Sequence, residues 1–262
     1  MQLRALGFCG VDDSVNPRLL GLYSNAYPFV EFGVLFRPDK EGQPRYATTA
    51  WVDQLASVTA KSKGKMKLAA HLCGARVNEV LLGDDSFLQV LKAWGFQRVQ
   101  INATAVNGVD TSRLAESVET FLKVVISNPE LEFILQKNEE TKPLWDGLLT
   151  LDNESAGPSG HLPKNVSMLV DESKGTGVLA SSWPTPPTTY PIGYAGGIGP
   201  HNIQKVLDDI KVVAKGNTVW IDMESSLRSI KEQRDVFDLD KCYEVIDVVC
   251  QAGLHSHPEF LG

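Results

Sequence analysis

One pattern constrains this chain more than any other. Short apolar runs of strand length alternate with stretches whose apolar residues recur at helical spacing, eight times from end to end. The runs cover residues 3–9, 30–36, 66–73, 98–103, 131–137, 166–172, 191–195 and 218–223. Between them, Trp51, Leu55 and Val58 form one helical stripe, and Leu114, Val118, Phe121, Leu122 and Val125 another. Val206, Leu207, Ile210 and Val213 repeat the spacing, as do Tyr243, Ile246, Val249 and Cys250. Strict β–α alternation argues for a parallel sheet, and eight units close on themselves. The predicted fold is therefore α/β, a single (β/α)8 TIM barrel over residues 1–262 with its site at the C-terminal ends of the strands. A doubly wound open sheet is the competing topology, but no glycine-rich fingerprint follows the first run and no composition break divides the chain. Residues 153–164 read as a surface loop before the sixth strand.

Charge and composition narrow the partners. The net charge is −7 with no lysine- or arginine-rich run, which argues against nucleic acid and anionic membranes. No apolar stretch approaches the ~20 residues that span a bilayer, and no charged-then-apolar export pattern opens the sequence. The four cysteines lack zinc-type spacing, so free thiols in a reducing cytoplasm are expected. The expected partner is a small molecule, bound by a monomer or homodimer.

Side-chain parity then sorts each strand. Leu6 and Phe8, Leu68 and Leu72, Val99 and Ile101, Val170, and Val219, Ile221 and Met223 suit the helix layer. That leaves Cys9, His71, Cys73, Gln100, Asn102, Asp171, Trp220, Asp222 and Glu224 facing the barrel axis. Burying so many polar groups is costly without partners or a ligand, and a site accounts for them more simply than a structural network. The segment Tyr194-Ala195-Gly196-Gly197-Ile198-Gly199-Pro200 adds an anion-binding signal. Paired glycines let backbone N–H groups approach a ligand just before a helix start, at the seventh strand, where many barrels hold a phosphate.

In chain order, several segments resemble phosphoribosylanthranilate isomerase, a (β/α)8 enzyme of tryptophan synthesis. Gly7-Phe8-Cys9-Gly10 resembles the first-strand motif whose cysteine is a general base. Arg45-Tyr46 resembles the loop arginine that contacts the anthranilate moiety, and Arg98-Val99-Gln100-Ile101 the fourth strand. Leu169-Val170-Asp171 followed by Gly175-Thr176-Gly177 resembles the sixth strand, whose aspartate is a general acid. Residues 195–203 are similar to the seventh-strand phosphate loop, and Ile221-Asp222-Met223-Glu224-Ser225-Ser226 to the eighth-strand segment. The resemblance implies an Amadori rearrangement of a phosphorylated aminosugar, with Cys9 as base and Asp171 as acid. It places the phosphate at Gly175, Gly177, Gly196, Gly197 and Ser225 and the rest of the substrate against Arg45; His71, which has no counterpart in the family, and Asn102, Asp222 and Glu224 are expected to line the substrate site because parity turns them inward. It implies no cofactor and no metal.

Departures accompany the likeness. Gly7 stands where the family has lysine, Asn102 where it has histidine, and Glu224 and Ser226 lie in its small-residue phosphate loop. A carboxylate beside a phosphate dianion is opposed by several kcal/mol unless neutralised. Arg228 is the expected neutralising charge, and a structural pairing of Asp222 and Glu224 with Arg228 is the competing reading. Cys9 as thiolate would need a nearby cation, and Asp171 as acid would need a raised pKa, with Asp222 and Glu224 the expected source of repulsion. His71 also reads as an interior histidine hydrogen-bonded to Asn102. Two further functions fit the same residues: a hydrolase or lyase with a divalent metal on His71, Asp171, Asp222 and Glu224, and a non-catalytic ligand-binding barrel. His255-Ser256-His257 reads as a solvated tail.

Overall fold

The computed structural model describes residues 1–62, 64–151, 162–171, 179–180 and 182–258. Eight parallel strands form a closed barrel in sequence order: β1 (Gln2–Cys9), β2 (Val30–Phe36), β3 (Lys67–Leu72), β4 (Arg98–Ile101), β5 (Glu132–Lys137), β6 (Val166–Val170), β7 (Ile192–Tyr194) and β8 (Thr218–Met223). β8 returns to pair with β1, with a register shift between Leu3 and Ala5. The helices are α1 (Pro17–Ala26), α2 (Thr49–Lys61), α3 (Ala75–Leu81), α4 (Ser86–Ala93), α5 (Val118–Ser127), α6 (Lys142–Thr150), α7 (Ile203–Ala214) and α8 (Leu239–Gln251). The alternation is less strict than the sequence suggests. Two short helices follow β3, and among the described residues none lies between β6 and β7. Most of the loop expected at 153–164 lies outside the described residues.

Outward strand residues and inward helix stripes build one continuous core that includes Leu6, Phe8, Leu68, Val99, Phe133, Val170 and Ile221. In α8 the buried stripe is Cys242, Val245, Ile246 and Val249, one step round from the expected face, so Tyr243 is exposed. Inside the barrel the apolar contribution is small: Ala5, Ile134, Leu169, Ala195 and Trp220. Gly193 makes this possible, because a Cβ there would lie 2.1 Å from the Trp220 ring.

Beneath Trp220 lies a charge network. Arg98 Nη1 meets Glu31 Oε1 at 2.7 Å and its Nη2 meets Glu132 Oε1 at 3.1 Å, while Arg4 Nη2 meets Glu132 Oε2 at 2.8 Å. Ser167 Oγ donates to Glu132, and the Arg98 guanidinium lies 4.4 Å from the Trp220 ring centroid. Two positive and two negative charges thus close this half of the interior, where barrels commonly stack branched apolar residues.

Two further features differ from expectation. After β8 the chain forms a hairpin, β9 (Arg228–Lys231) and β10 (Arg234–Phe237), whose turn residues Glu232 and Gln233 both have positive φ. The C-terminal histidines are docked. The His255 ring stacks on Phe29 at 3.9 Å and its Nε2 donates to the Leu3 carbonyl, while His257 contacts Asp247 at 3.0 Å.

Candidate active site

The C-terminal ends of the strands surround a cavity of about 230 Å3. Cys9 comes to it from the end of β1, His71 from β3, and Asp222 from β8. Asn102 and Asp171 follow β4 and β6 directly, and Gly196 and Gly197 follow β7. Arg45, from the loop after β2, and Glu224 and Ser225, from the short turn after β8, form part of the rim. All the site residues expected from sequence line this one cavity, except Gly175 and Gly177, which lie outside the described residues.

The inner wall is a contact cluster. Cys9 Sγ and His71 Nε2 are 3.6 Å apart, and together with an Asp222 carboxylate oxygen they form a buried trio whose donor atoms all lie within 4.8 Å of one another. Two glycines leave space for it. A Cβ on Gly7 would lie 1.9 Å from Asp222 Oδ1; one on Gly33 would lie 2.8 Å from His71 Nε2 and 2.9 Å from Cys9 Sγ. A side chain at position 7 is sterically incompatible with Asp222 in this position. His71 therefore engages Cys9, not Asn102. Asn102 Oδ1 instead accepts from Gln100 Nε2 at 2.7 Å, and its Nδ2 lies 3.4 Å from Cys73 Sγ.

Desolvation dominates the electrostatics of this wall. Burial pushes the Cys9 thiol well above its ordinary value, and the charges of Asp222, Glu224 and Glu31 push it further, with Arg98 a lesser offset. The cation expected to lower it is outweighed by carboxylates. Burial, with help from Arg98, lowers His71 to about 3. Burial and Glu31 raise Asp222 to about 7. At neutral pH the thiol and imidazole are therefore both uncharged, not a thiolate–imidazolium pair. Asp222 Oδ1 is buried and has no hydrogen-bond partner among the described residues.

Asp171 is held differently. Its Oδ2 accepts from Gln136 Nε2 at 3.2 Å, and its carbonyl accepts from Asn138 Nδ2 at 3.3 Å. Gln136 was legible: with Phe133 and Leu135 outward on β5, parity turns it inward at the strand's C-terminal end.

The opposite wall can receive an anion. Gly196 and Gly197 have φ of 101° and 65°, and among the described residues neither N–H is hydrogen-bonded. Asn202 braces the loop, accepting from the Gly199 N–H at 2.9 Å and donating to the Gly197 carbonyl at 2.8 Å just before α7. A Cβ on Gly199 would lie 2.2 Å from Ser226 Cβ, so Gly199 makes room for the serine that departs from the family pattern.

Glu224 has a cationic partner, and it is Arg45. Arg45 Nη1 donates to Glu224 Oε1 at 3.1 Å and to Ser225 Oγ at 2.9 Å. Burial raises the Glu224 carboxyl and Arg45 pulls it back. Arg228, the expected partner, binds Asp12 and Asp235 instead, each at 2.7 Å. Asp12 also accepts the Arg45 N–H at 2.6 Å, fixing Arg45 at φ 78°, a left-handed conformation that a non-glycine residue holds only when its surroundings impose it.

No protein-family profile matches the chain, and no curated protein matches it. Solved structures do. N-(5'-phosphoribosyl)anthranilate isomerase from Pyrococcus furiosus superimposes with a TM-score of 0.50 at 12% identity, over 94% of this chain and 98% of that one. A GH113 beta-1,4-mannanase superimposes with a TM-score of 0.51 at 9% identity, over 95% and 99%. Both likenesses establish the barrel, and neither selects a reaction over the other.

Proposed function

We propose that this barrel is an enzyme, an isomerase that moves protons on a small phosphorylated aminosugar. The observation that carries this reading is the sharing of one cavity by an anion-receptive loop, an inner-wall carboxyl at Asp171, and the Cys9–His71–Asp222 cluster. The phosphate would rest on the Gly196 and Gly197 N–H groups and Ser225 Oγ. Arg45, already bridging Ser225 and Glu224, offsets the Glu224 charge that would otherwise repel it. Asp171 would protonate the ring oxygen and open the furanose to an imine. The Cys9–His71–Asp222 cluster would accept the C2 proton, and the resulting enol would relax to the ketose. The order of segments shared with phosphoribosylanthranilate isomerase supports this substrate class.

The test is complementation of a strain lacking that isomerase, paired with turnover by purified protein. Wild-type protein rescues growth, and Asp171→Asn lowers turnover about a hundredfold or more, the usual worth of a positioned general acid. Cys9→Ala is the companion variant. Rescue that survives both substitutions rejects these roles, and failure of the wild type to rescue removes the isomerase assignment.

A further inference from the structure

We propose that Cys9, His71 and Asp222 form a binding site for one divalent transition-metal ion, with zinc the best match, open to the cavity on its fourth side. The donor set is one thiolate, one imidazole and one carboxylate, a combination suited to zinc and its neighbours and not to magnesium or calcium. The spacing fits. Zinc–sulfur and zinc–nitrogen bonds of about 2.3 and 2.0 Å at a tetrahedral angle place the two donors about 3.5 Å apart. Cys9 Sγ and His71 Nε2 are 3.6 Å apart, and the carboxylate donor completes a trio within 4.8 Å. Three residues from β1, β3 and β8 converge with no local sequence motif, because the barrel and not the spacing brings them together.

Three features of the structure support the site. Asp222 Oδ1 is buried without a hydrogen-bond partner among the described residues, in a residue only 4% exposed. Gly7 and Gly33 let the three donor side chains converge, one making room for the carboxylate and one for the sulfur and nitrogen. All three ligands also line the cavity, so an ion has an entry path and a face for substrate. Thiolate, carboxylate and a dication sum to zero, which removes the cost of burying Asp222 as an anion. Three protein ligands with one open position is the arrangement of catalytic zinc, which would lower the pKa of a bound water to about 7 and so supply a hydroxide able to accept a proton. The existence of the site does not depend on the isomerisation proposed above; only its catalytic consequence rests on that reading.

The experiment uses the full chain, stripped with chelator and dialysed. Cobalt is titrated in while thiolate-to-cobalt charge transfer is followed in the near ultraviolet, and zinc affinity is measured by competition. One equivalent should bind with a charge-transfer band. Cys9→Ser should abolish the band, and His71→Ala and Asp222→Asn should each weaken binding tenfold or more. Asp171→Asn should bind metal as the wild type does while losing turnover, which separates this site from the acid assigned above. Circular dichroism of each variant reports folding, and the wild-type spectrum decides the matter even where a variant fails to fold. Absence of the band in the wild type, or a bound ion indifferent to all three substitutions, overturns the proposal.

Discussion

In the N-terminal half of the barrel interior, Arg98 and Arg4 meet Glu31 and Glu132 at 2.7–3.1 Å, and Ser167 donates to Glu132. Above them Cys9, His71 and Asp222 crowd together with no cation paired to them among the described residues, and Asp222 keeps an unpartnered oxygen. Both regions bury polar groups inside the same barrel, on strands that overlap only at β1. The lower one is paired charge for charge, with only Arg98 Nε left without a hydrogen-bond partner among the described residues, and Arg98 and Arg4 hold Glu132 below the usual carboxylate range although burial opposes them. The upper one is unpaired, with a thiol and a carboxyl both held up by burial and then by nearby carboxylates, Glu31 acting on both. Buried polar groups with their partners present stabilise a fold or leave it neutral, whereas those without them mark where a ligand finishes the structure.

The comparison can be broken from below first. Arg98→Met leaves Glu31 and Glu132 facing each other without their shared cation, and should cost about 3–5 kcal/mol of unfolding free energy by denaturant titration. A loss below about 1 kcal/mol would mean that the lower network is no more complete than the upper cluster. In the upper region Gly7→Ala drives a methyl into the Asp222 carboxyl and should cost about 1–3 kcal/mol. Most of that cost should vanish in Gly7→Ala, Asp222→Ala, because the two sites are in contact and couple. Additive losses would show that Asp222 is not what fills the space over Gly7. The smallest effect is spectroscopic. The His71 ring resonances should stay those of neutral imidazole from pH 8 down to pH 4, since burial holds the group near 3. A titration near pH 6.5 would place His71 in water and dissolve the contrast.

Parity made the inner ring of the mouth legible. Cys9, His71, Asn102, Asp171 and Asp222 line the cavity as alternation along each strand requires. What parity cannot supply is the level at which an inward residue sits, because that depends on the stagger between strands, which no single strand encodes. Hence the charge network of Glu31, Arg98 and Glu132 is not legible within the apolar runs that hold them, although the register Arg98↔Glu132 and the Glu31–Arg98 ion pair bring them together. The same limit paired His71 with Asn102 instead of Cys9. Closeness in sequence pairs Arg228 with Glu224. The hairpin that follows β8 carries the guanidinium to Asp12 and Asp235 and leaves Glu224 to Arg45, which is distant in the chain. The docking of His255 on Phe29 depends likewise on where the chain end meets β1 and β2.

The most direct measurement is the unfolding free energy of chelator-stripped wild type and Asp222→Asn at pH 8 and pH 5. Burial and Glu31 push the folded carboxyl up to about 7 from its ordinary value of 3.8. Its contribution is therefore fully present below 3.8 and is lost as pH rises through 7. Asparagine never ionises and escapes that loss. At about 1.4 kcal/mol per pH unit of displacement, Asp222→Asn should be more stable than wild type by about 4 kcal/mol at pH 8, narrowing to about half of that or less at pH 5. A variant less stable than wild type at both pH values would make Asp222 an ordinary structural residue and contradict the account of an interior left for a ligand to complete.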